Sequence, residues 1–161
     1  MRALWAVLLV AGCAAPGRQL VRAAVLPADD VSSADGRSVS LRTTLAGSVA
    51  VIDLWATWCT ACERERPKLE RLQAAYRERG LQVIGLDVGE SPSVVGAYLA
   101  ERHIAYPVFL DPDFHLADAL GEKQLPTILV VDRAGRIVHR ATSLDPDTLQ
   151  HVKSLFAGEL R

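Results

Sequence analysis

Residues 51–62 have the sequence Val-Ile-Asp-Leu-Trp-Ala-Thr-Trp-Cys-Thr-Ala-Cys, and this stretch decides the fold. Its first half is an apolar run of strand length with β-branched residues, which is typical of a buried strand. A helical pattern follows, so Cys59 and Cys62 lie where a strand passes into a helix. Unpaired backbone N–H groups and the helix dipole favour thiolate over thiol there, and the thiolate is the nucleophile. We therefore predict that Cys59, the outer cysteine, attacks and that Cys62 resolves.

Two motifs together resemble one family. Residues 55–62, Trp-Ala-Thr-Trp-Cys-x-x-Cys, and residues 125–127, Leu-Pro-Thr, resemble the TlpA/ResA branch of the thioredoxin superfamily. The resemblance covers the chain from about residue 35 to the C-terminus. It implies an α/β thioredoxin fold, in which a central mixed β-sheet is flanked by helices and carries the extra strand–helix insertion of that branch. Many relatives have proline directly before the second cysteine, where this chain has Ala61.

The composition narrows the classes of function. A chain of 161 residues suits one domain, and its net charge of −1 gives no basic face for a nucleic acid. The four histidines show no paired spacing and there is no second Cys-x-x-Cys, so we expect neither a structural zinc ion nor another cofactor. Glu63 follows the second cysteine, where a haem-attachment motif would need histidine. We expect a monomer.

The N-terminus predicts export. Residues 1–12 carry one positive charge and an apolar run that is too short to span a bilayer, which is the shape of a secretory signal peptide. Residues 10–13, Val-Ala-Gly-Cys, resemble the bacterial lipoprotein signal, which implies lipidation of Cys13. The alternatives are an ordinary signal peptide cut near Ala15 and an uncut anchor. We expect residues 13–30 to be a lipid anchor and flexible tether, and residues 31–161 to be the thioredoxin-like domain. The domain would face the periplasm or the cell exterior, where disulfides persist.

The remaining periodicity predicts alternating strands and helices. A helix should run from Cys59 to about Arg79, the next should begin at Ser91-Pro92, a short one should surround Leu116, and the last should begin at Asp145-Pro146. Strands are predicted at residues 37–41, 49–55, 81–88, 106–110, 127–131 and 136–141. The order β-α-β-α-β-α-β-β-α predicts a mixed sheet with helices on both faces.

Two acids are candidates for proton transfer. Asp53 lies within an apolar strand, where burial of a carboxylate costs several kcal/mol or raises its pKa. It precedes Cys59 by six residues, the offset of the buried acid in thioredoxins, and the resemblance implies proton exchange with Cys62. A strand-end aspartate bonded to a neighbouring backbone group is the alternative. Glu65 matches a glutamate near the thiols of ResA-type proteins, although an ordinary surface charge explains it equally well.

Three further residues are candidates for substrate binding. X-Pro bonds are cis in only about 5–6% of folded cases, so composition alone predicts a trans Pro126. The resemblance implies the opposite, because thioredoxins hold this proline cis beside the active site and pair the preceding backbone, here Leu125, with the substrate. Trp58 should be a partly exposed contact surface beside Cys59, whereas Trp55 should pack in the interior.

These observations predict an exported, membrane-anchored thiol–disulfide oxidoreductase. The relatives mostly reduce selected partner proteins, such as apocytochrome c thiols before haem attachment or cuproprotein assembly factors, and take electrons from a membrane donor of thiol type. Two alternatives stay open. One is a thiol peroxidase that uses Cys59, although the Pro-x-x-x-Thr-x-x-Cys signature of peroxiredoxins is absent. The other is a non-enzymatic copper- or haem-delivery adaptor that uses the thiols as ligands.

Overall fold

A single mixed sheet runs through the part of the chain, residues 24–157, that the computed structural model describes. Its strands are β1 (Asp30–Ser33), β2 (Ser38–Ser40), β3 (Val49–Trp55), β4 (Leu81–Val88), β5 (Val108–Asp111), β6 (Thr127–Val131) and β7 (Ile137–Ala141). The helices are α1 (Leu41–Thr44), α2 (Thr60–Tyr76), α3 (Pro92–Glu101), α4 (His115–Leu120) and α5 (Pro146–Ser154), and a 3₁₀ turn at Arg77–Arg79 extends α2.

The sheet order β2-β1-β5-β4-β3-β6-β7 places β3 and β4 in the interior. β3, β4 and β5 are parallel, whereas β1, β6 and β7 each run antiparallel to a neighbour. All seven residues of β3 are buried, because helices cover both faces of the sheet at its centre. The predicted mixed sheet flanked by helices is therefore confirmed, and α3, β5 and α4 lie between β4 and β6 along the chain.

Alternate residues of the central strands point to opposite faces of the sheet and pack into two apolar cores. On one face, Ala50 and Ile52 pack against α1 and α4. On the other face, Val49 and Val51 pack against Leu69 and Leu72 of α2 and against α5. This alternation is the two-residue period of a strand. Asp53 follows Val49 and Val51 in the same alternation, so it lies on the face that α2 covers. None of the helices in residues 24–157 has the length and apolar character needed to cross a membrane.

Most of the predicted elements are confirmed, and three are wrong in detail. The strands at residues 49–55, 81–88 and 127–131 have the predicted bounds. The strand predicted at 37–41 ends at Ser40, because the chain turns there into α1 and buries Leu41 completely. β7 starts at Ile137 because the Arg136 amide donates to Asp132 Oδ1 within the preceding turn. The strand predicted at 106–110 spans Val108–Asp111 instead, because Pro107 has no N–H group to donate to a neighbouring strand.

The tether predicted for residues 13–30 is wrong over its last part. The Leu26 side chain is fully buried in the core beside α1, and its amide donates to the Gly135 carbonyl at 2.8 Å. The Ile137 amide donates in turn to the Ala24 carbonyl at 2.7 Å. The folded domain therefore includes residues 24–30. The predicted signal peptide, residues 1–12, and the lipidated Cys13 lie outside the described residues.

Candidate active site

The two cysteines are joined in a disulfide at the N-terminus of α2. β3 ends at Trp55, and a turn closed by the Cys59 amide and the Ala56 carbonyl leads into the helix. Cys59 is the N-cap of α2, and its Sγ accepts a hydrogen bond from the Cys62 amide at 3.1 Å. The sulfur thus takes the place of the side-chain oxygen that normally satisfies a free amide at a helix start. A thiolate at Cys59 would face the same donor.

The two tryptophans beside the cysteines differ in environment, as predicted. Trp58 is 70% exposed, although a tryptophan is usually mostly buried. Trp55 is buried, and its ring packs against Tyr98 of α3 with 5.4 Å between the ring centroids. Trp58 is therefore available to a partner, whereas Trp55 supports the turn from inside.

The loop before β6 lies beside the disulfide. Thr127, the first residue of β6, pairs with Leu54 near the end of β3. The peptide bond between Leu125 and Pro126 is cis, as the resemblance implied, and Leu125 packs against the cluster that contains both cysteines. The register of β3 and β6 thus brings together the three predicted binding residues, Trp58, Leu125 and Pro126, at one end of the sheet.

An apolar cleft of about 260 Å³ opens between these residues and α4. Its walls include Leu54, Trp58, Val88, Phe114 and Leu125. The sequence analysis missed Val88 and Phe114. Their place in the sequence could have identified them, because Val88 ends β4 and Phe114 follows β5. Ligands of such sheets bind beyond the carboxyl ends of the parallel strands.

Glycine is required beside this cleft. Gly89 has a φ of 79°, and a Cβ at this position would lie only 2.0 Å from the ring of Phe114. The Phe114 ring therefore occupies the space that the Cβ of any other residue at position 89 would need.

Asp53 is buried on the α2 side of β3. It is 2% exposed, and the Tyr106 hydroxyl donates to its Oδ2 at 3.2 Å. Oδ1 has no hydrogen-bond partner among the residues that the structure describes. Burial raises the pKa of Asp53 to about 7, against the lowering effects of the Tyr106 bond and the Arg66 charge, while the Glu65 charge adds to the rise. The predicted burial and raised pKa are therefore confirmed.

Glu65 is not a surface charge, and that interpretation is wrong. The residue is buried, its Oε2 accepts from the Leu144 amide at 2.8 Å, and its Oε1 pairs with Lys68 Nζ at 2.8 Å. Oε2 thus holds the loop between β7 and α5 against α2, whereas Oε1 pairs within α2 itself. A role for Glu65 toward the thiols stays a prediction that these contacts do not support.

A second buried acid, which the sequence analysis left without a role, lies on the neighbouring strand. Asp87 pairs in register with Trp55 and is fully buried. Burial, and next its neighbour Glu90, raise the pKa of Asp87 to about 8. The sequence marks Asp87 in the same way as Asp53, because both are acidic residues within an apolar run.

Glu90 ties the turn before Cys59 to the end of β4. Its Oε2 accepts from the Thr57 amide at 2.5 Å, and its Oε1 accepts from the Thr57 hydroxyl at 2.6 Å. Hydrogen bonds to a charged group are stronger than neutral ones. The conformation of residues 56–59 therefore depends on a carboxylate that lies 33 positions from Thr57 in the sequence.

Comparison with known proteins places the chain in a family. The family model described as Redoxin matches residues 21–157. The chain belongs to the redoxin family. The predicted resemblance to ResA is also confirmed, because the curated relatives are named thiol-disulfide oxidoreductase ResA.

Two ResA proteins and one solved structure illustrate the similarity. The ResA of Halalkalibacterium halodurans is 32% identical over 104 residues, which cover 65% of this redoxin-family chain and 58% of the relative. The match thus spans less than two thirds of that protein. The ResA of Geobacillus thermodenitrificans is 28% identical over 127 residues, or 78% of this chain and 72% of the relative. The crystal structure of a thiol:disulfide interchange protein, a thioredoxin family protein from Chlorobium tepidum TLS, has a TM-score of 0.69 at 26% identity and covers 84% of this chain and 98% of its own.

Replacing Asp53 with Asn should stabilise the oxidised protein above neutral pH. Between the unfolded pKa of 3.8 and the folded value of about 7, the unfolded chain has lost a proton that the folded protein keeps. The parent's free energy of unfolding should therefore fall as the pH rises through this window, by about 4 kcal/mol at most. Burying the Asn amide offsets about 1–2 kcal/mol, which leaves a net gain of roughly 2–3 kcal/mol above the window.

Urea denaturation of both proteins with the disulfide intact, at about pH 4.5 and about pH 8, measures this difference. The gain should be small at the lower pH and full at the higher one. A difference that does not change with pH would mean that Asp53 does not titrate in this window.

Proposed function

We propose that this redoxin-family chain is a thiol–disulfide oxidoreductase. The observation that carries the proposal is the Cys59–Cys62 disulfide at the start of α2, with the Cys62 amide donating to Cys59 Sγ. A thiolate at that N-cap is stabilised by the amide and by the helix dipole, so it is the form that attacks. The ResA names of the relatives support the same reaction.

The reaction in the reductive direction has two balanced steps. The Cys59 thiolate attacks one sulfur of a partner's disulfide, which forms a mixed disulfide and releases the partner's other sulfur as a thiolate. The Cys62 thiolate then attacks Cys59 Sγ. This attack forms the Cys59–Cys62 disulfide and releases the second partner thiolate, so two electrons pass from the chain to the partner.

Asp53 is proposed to accept the proton of the Cys62 thiol before the second step. Three observations support this role: its burial, its pKa of about 7, and its position on the strand that leads directly into the Cys59 turn. An acid with a pKa near the working pH is half ionised there, so it can both take and return a proton.

The cleft beside Trp58 is proposed to bind the partner's polypeptide. Trp58 and Phe114 expose aromatic surface at its rim, and Leu125 provides the backbone that would pair with an extended segment. Apolar walls with a few polar groups are typical of a binding site. The partner segment would therefore present an apolar side chain near its reactive sulfur.

The finer assignment rests on the sequence. We propose a monomeric reductant, exported and lipid-anchored through Cys13 to a bacterial membrane, with the domain facing the periplasm or cell exterior. Its partners would be apocytochrome c thiols or cuproprotein assembly factors, and its electrons would come from a membrane donor of thiol type. The resemblance to the TlpA/ResA branch and the sequence of residues 1–13 support this assignment.

The variant Cys62→Ser should accumulate mixed disulfides, because no thiol remains to resolve them. Cys59→Ser should accumulate roughly tenfold fewer, since the attacking sulfur is gone. Non-reducing electrophoresis after incubation with a model disulfide protein measures both yields. Cys13→Ala should be present in both variants to exclude disulfides through the third cysteine, and equal trapping by the two would overturn the assigned roles.

The variant Asp53→Asn should slow resolution of the mixed disulfide by about 10- to 100-fold and leave its formation nearly unchanged. The reason is that Asn keeps the shape of the side chain and cannot accept the Cys62 proton. Stopped-flow fluorescence of Trp55 and Trp58 during reduction of a model disulfide follows both steps. A resolution rate that matches the parent from about pH 6 to pH 9 would contradict the role.

The variant Cys13→Ala should release the protein from membranes, because two or more acyl chains are needed for stable anchoring and the lipid acceptor is gone. Fractionation of bacteria that express the parent or the variant measures this. Cys62→Ser, which also removes one sulfur, is the matched control and should stay with the membrane. Membrane retention of Cys13→Ala would exclude lipidation as the anchor.

A further inference from the structure

Two histidines that are far from the disulfide come together where α5 packs on β7. His139 lies on β7, and Asp147 and His151 lie one turn apart on α5. The imidazole rings are stacked, with 3.9 Å between their centroids and 18° between their planes. Asp147 Oδ2 lies 3.7 Å from His151 Nδ1 and 4.0 Å from His139 Nε2.

We propose that His139, Asp147 and His151 form a site for a divalent transition metal ion of the zinc type. Each residue offers one ligand atom, and the three atoms lie within 4.8 Å of one another. Imidazole nitrogen with carboxylate oxygen is a ligand set that zinc accepts in tetrahedral geometry. Three protein ligands leave the fourth position to water.

The distances are close to those that a zinc ion requires. Bonds of about 2.0–2.1 Å in tetrahedral geometry place neighbouring ligand atoms about 3.3 Å apart. The two separations from Asp147 Oδ2, 3.7 and 4.0 Å, must therefore shorten by less than about 1 Å, and the separation of the two ring nitrogens, which is within 4.8 Å, by about 1.5 Å at most. The His151 ring must also turn out of the stacked arrangement, because the lone pair of a ring nitrogen lies in the plane of its ring. The side chains of Asp147 and His151 can make these movements, because they are 74% and 41% exposed.

Binding would exchange two hydrogen bonds for metal bonds. His139 Nε2 now lies 3.1 Å from Thr148 Oγ1, and His151 Nδ1 lies 3.0 Å from the Asp147 carbonyl. Each nitrogen would present its lone pair to the ion after a change of tautomer, and the other ring nitrogen would carry the proton. Thr148 keeps its bond to the Ser143 carbonyl at 3.1 Å, so the backbone that carries the site stays in place.

The site would join two elements at the edge of the fold. β7 is an edge strand of the sheet, and α5 packs against it. In the unfolded chain, a ligand on β7 and two ligands on α5 are not held together, so an ion selects the folded state and stabilises it. This proposal does not depend on the redox function, because the disulfide takes no part in it.

Titration calorimetry with Zn²⁺ tests the site in oxidised protein that carries Cys13→Ala, so that no free thiol competes for the metal. One equivalent of zinc should bind and should raise the Tm. His151→Ala and Asp147→Asn should each weaken binding by about 10- to 100-fold or more, since even the loss of an outer-shell partner costs that much. His103→Ala is the matched control, because His103 is an exposed histidine outside the site.

Imidazole NMR resonances report which histidines bind. Zinc should shift the His139 and His151 signals and leave those of His103 and His115 in place. The proposal is overturned if no stoichiometric binding is detected, if the His103 and His151 variants bind equally well, or if the affected signals belong to the other pair. In zinc-free buffer, His151→Ala should have the Tm of the parent, which separates metal binding from a packing defect.

Discussion

A carboxylate can be buried without a paired cation only if it keeps its proton for part of the pH range, and this constraint shapes the centre of the molecule. Asp53 lies on a strand whose seven residues are all buried, and its side chain accepts a hydrogen bond from the Tyr106 hydroxyl. Arg66 acts on it through charge alone, because the guanidinium bonds to the Tyr98 hydroxyl and lies over the Trp55 and Tyr98 rings. Burial therefore outweighs both favourable interactions, and the acid titrates near neutral pH instead of near 4.

The position of the disulfide depends on contacts between distant parts of the chain. The turn that carries Cys59 follows β3 directly. The carboxyl group of Glu90, beyond the end of β4, accepts from the Thr57 amide in this turn. Leu125, in the loop before β6, packs against the cluster that contains both cysteines. Glu65, one turn beyond Cys62 on α2, also anchors the loop that leads to α5 through the Leu144 amide. The start of α2 is thus fixed from three directions, so the sulfur, its amide donor and the buried acid keep one relative arrangement.

The sequence was sufficient where a feature depends on local pattern. The apolar run at 49–55, the helix that begins after Cys59 and the Asp145 cap of α5 could all be predicted, because strand period, helix dipole and capping involve neighbouring residues. The cis bond before Pro126 needed the resemblance, since residue statistics predict trans. The Glu65 and Glu90 contacts could not be found in this way, because each joins residues more than thirty positions apart. The same holds for residues 24–26, whose composition suits a tether although they pair with the start of β7.

The two buried acids have different neighbours, and this difference changes the effect of burial on the pKa of each. Asp53 has a hydroxyl donor and a nearby positive charge, which bring its pKa down to about 7. Burial raises the pKa of Asp87 to about 8, and the neighbouring Glu90 adds to the rise. At neutral pH Asp87 is therefore mostly protonated, so it places little negative charge beside the Glu90 carboxyl group that accepts from the Thr57 amide. Burial on the two central strands therefore raises both pKa values toward neutrality, and Tyr106 and Arg66 oppose that rise only at Asp53.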